Sequence, residues 1–150
     1  MSLQLRRVSA DDILELRARV LRPGRPLDRA RYAEDDHPPT FHVGGFLQGT
    51  LVGCATLMLQ PAPMRPDQQA WRLRGMAVEP SHTRQGVGRG VLSYCMEQAL
   101  QLRPQLELLW FNARHGARAF YQSMGFEPWG PDFELPEIGP HTVMWGKLKG

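Results

Sequence analysis

Residues 80–90 read PSHTRQGVGRG, a glycine-rich turn that also carries two arginines and a histidine. The apolar run at 73–78 before this turn is typical of a strand, and the run from Gly86 to about Leu102 has helical spacing. A glycine-rich turn that opens a helix leaves backbone N–H groups without acceptors, and the helix dipole adds partial positive charge at that end. The stretch therefore predicts a phosphate-binding turn in which the amides of residues 85–89 are the donors.

Two common nucleotide-binding loops do not fit this turn. A dinucleotide-binding loop needs a third glycine, and Val91 stands at that position. A P-loop needs Gly-Lys followed by Ser or Thr, and the only lysines of the chain are Lys147 and Lys149. A plain glycine turn that does no more than cap the helix stays open as an alternative when the stretch is considered by itself.

The hydrophobic pattern outside the turn predicts an alternation of strands and helices. A tight turn at 48–50 predicts a hairpin, and the proline-rich segment 61–66 and the segment 130–140 are predicted loops. This order predicts a mixed α/β fold with helices on both faces of a sheet. The predicted strands are 3–8, 40–47, 51–60, 71–78, 106–111, 126–129 and 141–148, and the predicted helices are 10–21, 27–33, 86–102 and 114–124.

The length and composition of the chain are those of one globular domain spanning residues 1–150. The net charge is +3, from 18 basic and 15 acidic residues, which is too mild to argue for nucleic acid. The sequence has no apolar run of about 18 residues, so no membrane span is expected. Cys54 and Cys95 are isolated in apolar patterns, which predicts no metal site and favours a reduced, cytoplasmic setting.

Four pieces of the sequence, in this order, resemble motifs of the GNAT acetyltransferase superfamily. Residues 48–53 are similar to the hairpin that enters its third strand, and residues 76–80 are similar to its fourth strand and the exit from it. Residues 85–89 are similar to its pyrophosphate loop. Asn112 and the residues 119–126 resemble its asparagine and its FYxxxGF signature. The resemblance as a whole covers about residues 1–148.

The resemblance implies the GNAT fold, with a central mixed, mostly antiparallel sheet of six or seven strands. It also implies acetyl-CoA as co-substrate and acetyl transfer to a primary amine, so the expected partner is a small-molecule or peptide amine. One position departs from the family pattern, because the family usually has Arg or Gln where this chain has Thr83. Arg84 beside it is the candidate replacement, and the backbone donors of the turn are unaffected.

By the same resemblance, the strand at 76–78 separates from its neighbour and pairs with the pantetheine arm of the cofactor. A backbone N–H near Met76 or Ala77 would then stabilise the oxyanion of the reacting thioester. An ordinary central strand is the alternative. Asn112 would bond the pantetheine, or it would cap the following helix. The cofactor-binding residues that the resemblance implies are Met76, Ala77, Val78, Arg84, Gln85, Gly86, Val87, Gly88, Arg89, Asn112 and Tyr121.

Tyr121 is the candidate general acid, because a phenol can protonate a departing thiolate. It also falls on the apolar face of its predicted helix, so a role in the core is the alternative. The general base is predicted near the last loop, where His141 and Glu134 are the leading candidates, with Asp132 and His42 as further ones. No spacing chooses among the four, although an imidazole is suited to proton transfer near neutral pH.

Acidic residues occur at 34–36 and 132–137, in the segments that border the substrate entrance in the GNAT superfamily. Their negative charge could favour a cationic amine. Ordinary solvated loops explain these residues equally well. A non-catalytic acyl-CoA-sensing module would share the same turn and is the main alternative function. A nucleic-acid binder is disfavoured by the mild net charge and the lack of basic runs. Trp129 and Trp145 suggest an edge at which a homodimer forms.

Overall fold

A computed structural model describes residues 2–148 and places seven strands in one sheet, with helices on both of its faces. The strands are β1 (Gln4–Val8), β2 (Phe41–Leu47), β3 (Thr50–Leu59), β4 (Trp71–Val78), β5 (Leu108–Arg114), β6 (Glu127–Leu135) and β7 (Gly139–Lys147). The α-helices are α1 (Ala10–Leu21), α2 (Val87–Leu102) and α3 (Arg118–Ser123), and short 3₁₀ turns lie at Leu27–Ala30, Pro80–His82 and His115–Ala117. Residues 1, 149 and 150 of the predicted domain lie outside the described part of the chain. Within residues 2–148, none of the helices has the length and apolar character needed to cross a membrane.

The strand order is β1-β2-β3-β4-β5-β7-β6. Every neighbouring pair is antiparallel except β4 and β5, which are parallel. The prediction of a mixed, mostly antiparallel sheet of six or seven strands is therefore confirmed. The alternation along β3 shows why helices cover both faces, because Cys54 packs with α1 while its neighbour Gly53 faces α2.

Helix α1 begins at a capping box and buries one face against the sheet. The Ser9 hydroxyl accepts from the Asp12 amide at 3.2 Å, and the Asp12 carboxylate accepts from the Ser9 amide at 3.0 Å. Such a cap stabilises a helix by about 1 kcal/mol. Ile13 and Leu16 are buried against β3 and β4. Arg17 follows them on the same buried side, which brings a guanidinium group against the sheet.

Helix α2 lies close to the sheet because glycines on β2 and β3 leave room for it. A Cβ atom on Gly53 would lie 2.6 Å from Val87 Cγ1, and one on Gly45 would lie 3.0 Å from Val91 Cγ2. Both valines are buried in the main core of the protein. This packing holds the first turn of α2 beside the end of β4.

Strands β4 and β5 pair only near their N-terminal ends and then separate. The two registered pairs are Trp71 with Leu109 and Arg72 with Trp110. The ladder between β3 and β4 shifts register around Gly75, whose φ of +64° is a conformation that favours glycine. The sheet is therefore open between the C-terminal halves of β4 and β5.

The C-terminal third of the chain differs from the sequence prediction. The predicted loop at 130–140 is mostly strand, since β6 continues to Leu135 and β7 begins at Gly139. The register between β6 and β7 shifts between Trp129 and Phe133, and this bulge absorbs the Gly-Pro-Asp sequence that suggested a loop. The hairpin is therefore longer than predicted, and its end reaches the opening between β4 and β5.

Two predicted helices are shorter than the pattern suggests. The predicted helix at 27–33 is a 3₁₀ turn at Leu27–Ala30. The predicted helix at 114–124 is reduced to a 3₁₀ turn followed by the six residues of α3. The second difference arises because β5 continues to Arg114, which pairs with His141 of β7.

The tryptophans that suggested a homodimer edge lie on the last two strands. Trp129 of β6 is exposed. Trp145 of β7 is half-buried against a cluster that contains Trp110 and Val143. Formation of a homodimer at this edge stays a prediction, with Trp129 as the more accessible of the two residues.

Candidate active site

The opening between β4 and β5 is a cleft of about 180 Å³. The two separating strands form its floor, and its walls come from α1, the segment after α1, α3 and the β6–β7 hairpin. The cleft therefore gathers residues that are far apart in the sequence. Its polar and aromatic lining side chains include Arg17, Arg22, Tyr32, Arg72, Arg74, Asn112, Arg114, Tyr121 and His141.

Tyr121 lies in the wall of the cleft as part of an aromatic cluster. Its ring centroid is 4.3 Å from that of Phe111 and 5.1 Å from that of Phe120, and the residue is 8% exposed. Burial raises the pKa of the Tyr121 phenol well above its ordinary value, with a smaller contribution from the nearby Cys95. The phenol therefore keeps its proton at neutral pH, as a general acid must. Tyr121 is at once a core residue and a lining residue.

The part of β4 that was predicted to separate from its neighbour does so. Residues 76–78 lie against β3, with Ala77 paired to Cys54. Within the described chain, β4 has no pairing with β5 beyond Arg72, so the β5-facing backbone edge of β4 borders the cleft. Asn112 lines the cleft from the other strand and stands inside β5. Its predicted alternative role as a helix cap is therefore wrong.

His141 of β7 is 4% exposed and lines the same cleft. Its Nδ1 atom lies 2.9 Å from the carbonyl oxygen of Gly139. A carbonyl oxygen can only accept, so Nδ1 carries a proton, and the neutral ring then leaves Nε2 as an acceptor. In its neutral form, this imidazole can therefore take a proton at Nε2.

The other candidate bases lie elsewhere. Glu134 is exposed on β6 and does not line the cleft. Asp132 accepts from the Thr142 hydroxyl at 2.7 Å and is also outside the cleft lining. His42 of β2 is buried, and its ring nitrogens contact the Thr56 hydroxyl and the Asp35 carbonyl oxygen. Of the four candidates, His141 is the one that lines the same cleft as Tyr121.

The turn at residues 80–90 has the backbone shape that its glycines suggested. Arg84 and Gly86 have positive φ values of 63° and 82°, and Gly86 is the N-cap of α2. The first bond into the helix runs from Gly90 N to Gly86 O at 3.0 Å, so the amides of residues 87–89 have no acceptor within the helix. Val87 is buried, which anchors the turn to the core.

The side chains of this turn are divided between structure and solvent. The Thr83 hydroxyl donates to the Pro80 carbonyl at 3.2 Å, so the residue that departs from the family pattern holds its own turn together. Arg84 and Gln85 are exposed. Arg89 donates to the Ser123 hydroxyl of α3 at 3.2 Å, which links the turn to the helix that carries Tyr121.

A buried polar network centred on the lining residue Arg17 adjoins the cleft. Arg17 is 1% exposed and donates to both carboxylate oxygens of Asp35, at 2.8 and 3.2 Å, and to the Ala30 carbonyl at 2.9 Å. It also donates to the Thr56 hydroxyl at 2.7 Å, which contacts His42 at 2.7 Å. The network ties the segment after α1 to the sheet. Asp35 was predicted as a loop residue at the substrate entrance and is instead buried in this network.

The five arginines in the cleft were not predicted as residues of an acetyltransferase site. A signal for two of them is present in the sequence, because Arg72 and Arg74 alternate with the buried Trp71 and Leu73 along one strand. Such alternation places both arginines on one face of the sheet. Arg17, Arg22 and Arg114 come from separate elements, so no local pattern links them to these two.

Comparison with known sequences identifies a family and a relative. The family model described as "Acetyltransferase (GNAT) family" matches residues 10–126 of this chain. A protein of Bacillus subtilis (strain 168), named "Uncharacterized N-acetyltransferase YitI", is 32% identical over 147 residues. That alignment covers 98% of this chain and 97% of the relative.

Solved structures with low identity share the fold over almost their whole length. Escherichia coli ElaA has a TM-score of 0.76 at 20% identity, covering 97% of this chain and 99% of that chain. The ribosomal-protein-S18-alanine N-acetyltransferase of Escherichia coli has a TM-score of 0.72 at 17% identity, with coverages of 99% and 96%. An aminoglycoside 6'-N-acetyltransferase complexed with coenzyme A has a TM-score of 0.71 at 13% identity, with coverages of 98% and 98%.

Proposed function

The chain belongs to the acetyltransferase (GNAT) family, and on that basis we propose that it transfers an acetyl group from acetyl-CoA directly to a primary amine. One observation carries this function: Tyr121 and His141 line the same cleft at the β4–β5 opening. A proton donor for a leaving thiolate and a proton acceptor for an amine are the two groups that this reaction needs.

Direct transfer is favoured because the cysteines are not suited to carry the acetyl group. Cys54 and Cys95 are both buried, and neither lines the cleft. Burial raises the pKa of the Cys54 thiol to about 12, and it raises the pKa of Cys95 still further. A thiol that stays protonated is a weak nucleophile. An acetylated cysteine is therefore not part of the proposed route.

The start of α2 fits the diphosphate of acetyl-CoA, which supplies the activated acetyl thioester. The free amides of residues 87–89 and the positive end of the helix dipole suit an anion. A Cβ atom added to Gly88 would meet Phe120 at 3.4 Å and Met76 and Val78 at 3.5 Å. The turn therefore adjoins both the open edge of β4 and the helix that carries Tyr121. Arg84, exposed beside the turn, is the side chain proposed to contact the phosphates.

Gly86→Ala is expected to weaken acetyl-CoA binding about tenfold. A φ of +82° strains an alanine by about 1–2 kcal/mol, and relaxation of this strain turns the amides of the first helical turn away from the ligand. Isothermal titration calorimetry measures the affinity. Gly24→Ala is the matched control, because Gly24 has a φ of +77° and open space around it but lies outside the turn. Equal acetyl-CoA affinities for the two variants would exclude the turn as the diphosphate site.

The amine must lose a proton before it can react. An alkyl amine with a pKa of about 10.4 is protonated at neutral pH, and removing its proton at about pH 7 costs roughly 4.6 kcal/mol. The arginines in the cleft disfavour an added positive charge, so they lower the pKa of a bound amine. The Nε2 atom of His141 then accepts the proton that the amine releases.

The remaining groups act on the acetyl transfer itself. A backbone N–H of Met76 or Ala77, on the open edge of β4, donates to the acetyl oxygen as negative charge develops there. Tyr121 donates its proton to the sulfur as the C–S bond breaks and the C–N bond is completed. The amine gives up two protons in all, one to solvent by way of His141 and one that restores the proton of Tyr121.

His141→Gln is expected to lower kcat/KM about a hundredfold at neutral pH, near the lower end of what a general base contributes, because the positive cleft already assists deprotonation. Activity should recover as the pH rises, since more of the free amine is then unprotonated. The measurement is release of the CoA thiol over a pH series. Glu134→Gln is the matched control and should keep full activity. If the Glu134 variant is the impaired one, the base is assigned to the wrong residue.

The same assay separates the enzyme from a non-catalytic acyl-CoA-sensing module. The sensor would bind acetyl-CoA in calorimetry and release no CoA thiol with any amine in a broad panel. The enzyme binds acetyl-CoA and releases thiol with at least one amine, in proportion to acetylated product seen by mass spectrometry. Binding without release would overturn the proposed function.

A further inference from the structure

The cleft that holds Tyr121 and His141 is strongly positive. Guanidinium groups reach it from several elements, and none of the Asp or Glu residues in the described part of the chain lines it. The five arginines that line the cleft are Arg17, Arg22, Arg72, Arg74 and Arg114. Acetyl transfer to an uncharged acceptor would require no such set of charges.

Only one of the five guanidinium groups is closely paired with a carboxylate. Arg17 contacts Asp35 at 2.8 Å, and both are buried. The carboxylate near Arg74 is that of Glu34, at 3.7 Å, which is too far for a hydrogen bond. The arginines of the cleft that form no ion pair within residues 2–148 are Arg22, Arg72 and Arg114.

Aromatic rings hold two of these guanidinium groups in fixed orientations. Arg74 Cζ lies 3.9 Å from the ring centroid of Tyr32, and Arg72 Cζ lies 4.8 Å from that of Trp110. A stacked guanidinium keeps N–H groups at its edge for contact with a carboxylate or phosphate. The Nε atoms of Arg17 and Arg72 are buried and have no hydrogen-bond partner among the described residues. Because both Nε atoms are closed to solvent and Arg72 Nη1 donates to Gln60 Oε1 at 2.8 Å, an anion in the cleft would contact Arg72 through Nη2.

The charges in the cleft also act on one another. Burial is the main cause that lowers the pKa of Arg72 to about 10, and the charge of Arg74 is a smaller one. Burial is also the main cause that lowers the pKa of Arg114, and the charge of Arg22 is a smaller one. Both groups are still protonated at neutral pH, so a positive field remains in the cleft. A second ammonium group on the acceptor would add to this repulsion, whereas an anionic group would relieve it.

The positive lining continues at the mouth of the cleft. An adjoining hollow of about 430 Å³ shares Arg22 and Arg114 with the cleft and adds Arg25 and Arg29. The acidic residue that lines this hollow, Glu137, contacts Arg25 at 2.9 Å. An anion approaching from this side meets an attractive field before it reaches the cleft.

None of the acidic residues that could favour a cationic amine lines the cleft, although Glu34 lies 3.7 Å from Arg74 and Glu137 lines the adjoining hollow. Asp35 is paired with the buried Arg17. Asp132 is held by Thr142, and Glu134 is exposed outside the cleft. The charge that surrounds the acceptor is therefore opposite in sign to the one that the loop composition suggested.

We propose that the acceptor is a small primary amine that carries an anionic group, a carboxylate or a phosphate, which Arg72 and Arg74 bind while His141 accepts a proton from its amine. This substrate class rests on the proposed acetyl transfer and adds the charge of the acceptor to it. The volume of about 180 Å³ suits a small molecule. The arginines bind the anionic group in both the free and the reacting acceptor, so they act mainly on KM.

Four amines of similar length test the sign of the charge. β-Alanine carries a carboxylate, β-alaninamide is its uncharged counterpart, diaminopropane carries a second ammonium, and O-phosphoethanolamine carries a phosphate. Thiol release should give kcat/KM about tenfold to a hundredfold higher for β-alanine than for β-alaninamide, with diaminopropane lowest. The amine of β-alaninamide is less basic than that of β-alanine, so a larger fraction of it is unprotonated and able to react at neutral pH. A higher kcat/KM for β-alanine would therefore show that its carboxylate is bound. The phosphate arm shows which anionic group is preferred.

A charge-removing variant places the effect in the cleft. In wild type, kcat/KM for the better anionic amine exceeds kcat/KM for β-alaninamide by a certain ratio. Arg74→Gln should lower this ratio by at least about tenfold, mainly by raising KM for the anionic amine. Arg6→Gln is the matched control, because Arg6 Cζ also lies over a ring, 3.7 Å from the Phe46 centroid, and does not line the cleft. The control should keep the wild-type ratio. An unchanged ratio in Arg74→Gln would exclude this arginine as the anion site.

Direct binding keeps this inference separate from the proposed function. Calorimetry with the acetyl-CoA-loaded protein should detect β-alanine or O-phosphoethanolamine and not diaminopropane, even if no amine is acetylated. Binding without acetylation would overturn the acetyl transfer and support the anion site. If neither β-alanine nor O-phosphoethanolamine binds, the anion site is overturned. It is also overturned if β-alaninamide or diaminopropane is acetylated at least as fast as both anionic amines. Either result leaves the proposed acetyl transfer unaffected.

Discussion

Replacing Tyr121 with phenylalanine is expected to lower kcat about a thousandfold while acetyl-CoA binds with nearly unchanged affinity. Loss of a general acid typically costs about 10²–10⁴ in rate. The phenylalanine ring keeps the packing against Phe111 at 4.3 Å, so the core around it is retained. The effect therefore isolates the hydroxyl from the ring. Steady-state thiol release measures kcat, and calorimetry measures acetyl-CoA binding.

Tyr94→Phe is the matched control for this substitution. Tyr94 is half-buried on α2 and does not line the cleft, so its hydroxyl should be dispensable for turnover. Burial holds the pKa of Tyr121 above the ordinary tyrosine value of about 10. Deprotonation of Tyr121 should therefore cause no decrease in wild-type kcat below about pH 10. A Tyr121→Phe enzyme with wild-type kcat would reduce Tyr121 to a packing residue and would require another proton donor.

Asp35→Asn is expected to destabilise the protein by about 3–5 kcal/mol, because it leaves the charge of Arg17 buried without its carboxylate. Such a loss is a large part of the roughly 5–15 kcal/mol that stabilises a typical domain. Urea unfolding followed by circular dichroism measures the free energy of unfolding. Asp36→Asn is the matched control, since Asp36 is exposed and adjacent in sequence. Equal stabilities of the two variants would show that the buried pair contributes nothing to folding.

The same pair makes the stability depend on acidity. Burial by itself raises the pKa of Asp35, but the hydrogen bonds from Arg17 and from the Tyr32 amide outweigh it, and the net pKa is lowered. A carboxyl with a lowered folded pKa contributes its full stability above the ordinary Asp value of about 3.9 and loses it as the pH falls through the folded value. The wild type should therefore lose more stability between about pH 5 and pH 2 than Asp35→Asn does.

Most of the fold could be predicted because its signals are local. The helical spacing after Gly86 and the tight turn at 48–50 are visible in short windows of sequence, and both the helix and the β2–β3 hairpin are present. The last hairpin was predicted wrongly for a physical reason. A bulge lets residues that favour turns, Gly130 and Pro131, stand inside a continuing strand, and only the pairing with β7 reveals it.

The candidate site was less predictable than the fold because it depends on register. His141 stands opposite Arg114, and this pairing brings it to the cleft while Glu134 stays on the surface. No spacing in the sequence encodes which strand lies beside β5. The resemblance to a family pointed to Tyr121 and Asn112, but it did not reveal the arginines. Their convergence requires α1, β4 and β5 to be assembled first.

The kink at Gly75 limits how this protein can be redesigned. A Cβ atom there would lie 2.8 Å from Arg17 Nε and 3.2 Å from the ring of Tyr32, and the hydrogen bonds of Arg17 leave it little room to move. Any side chain at this position would disturb both the strand geometry and the anchoring of the segment after α1. A mutant library aimed at new acceptors should therefore vary the rim, at Arg22, Arg25 and Arg29, and keep Gly75 invariant.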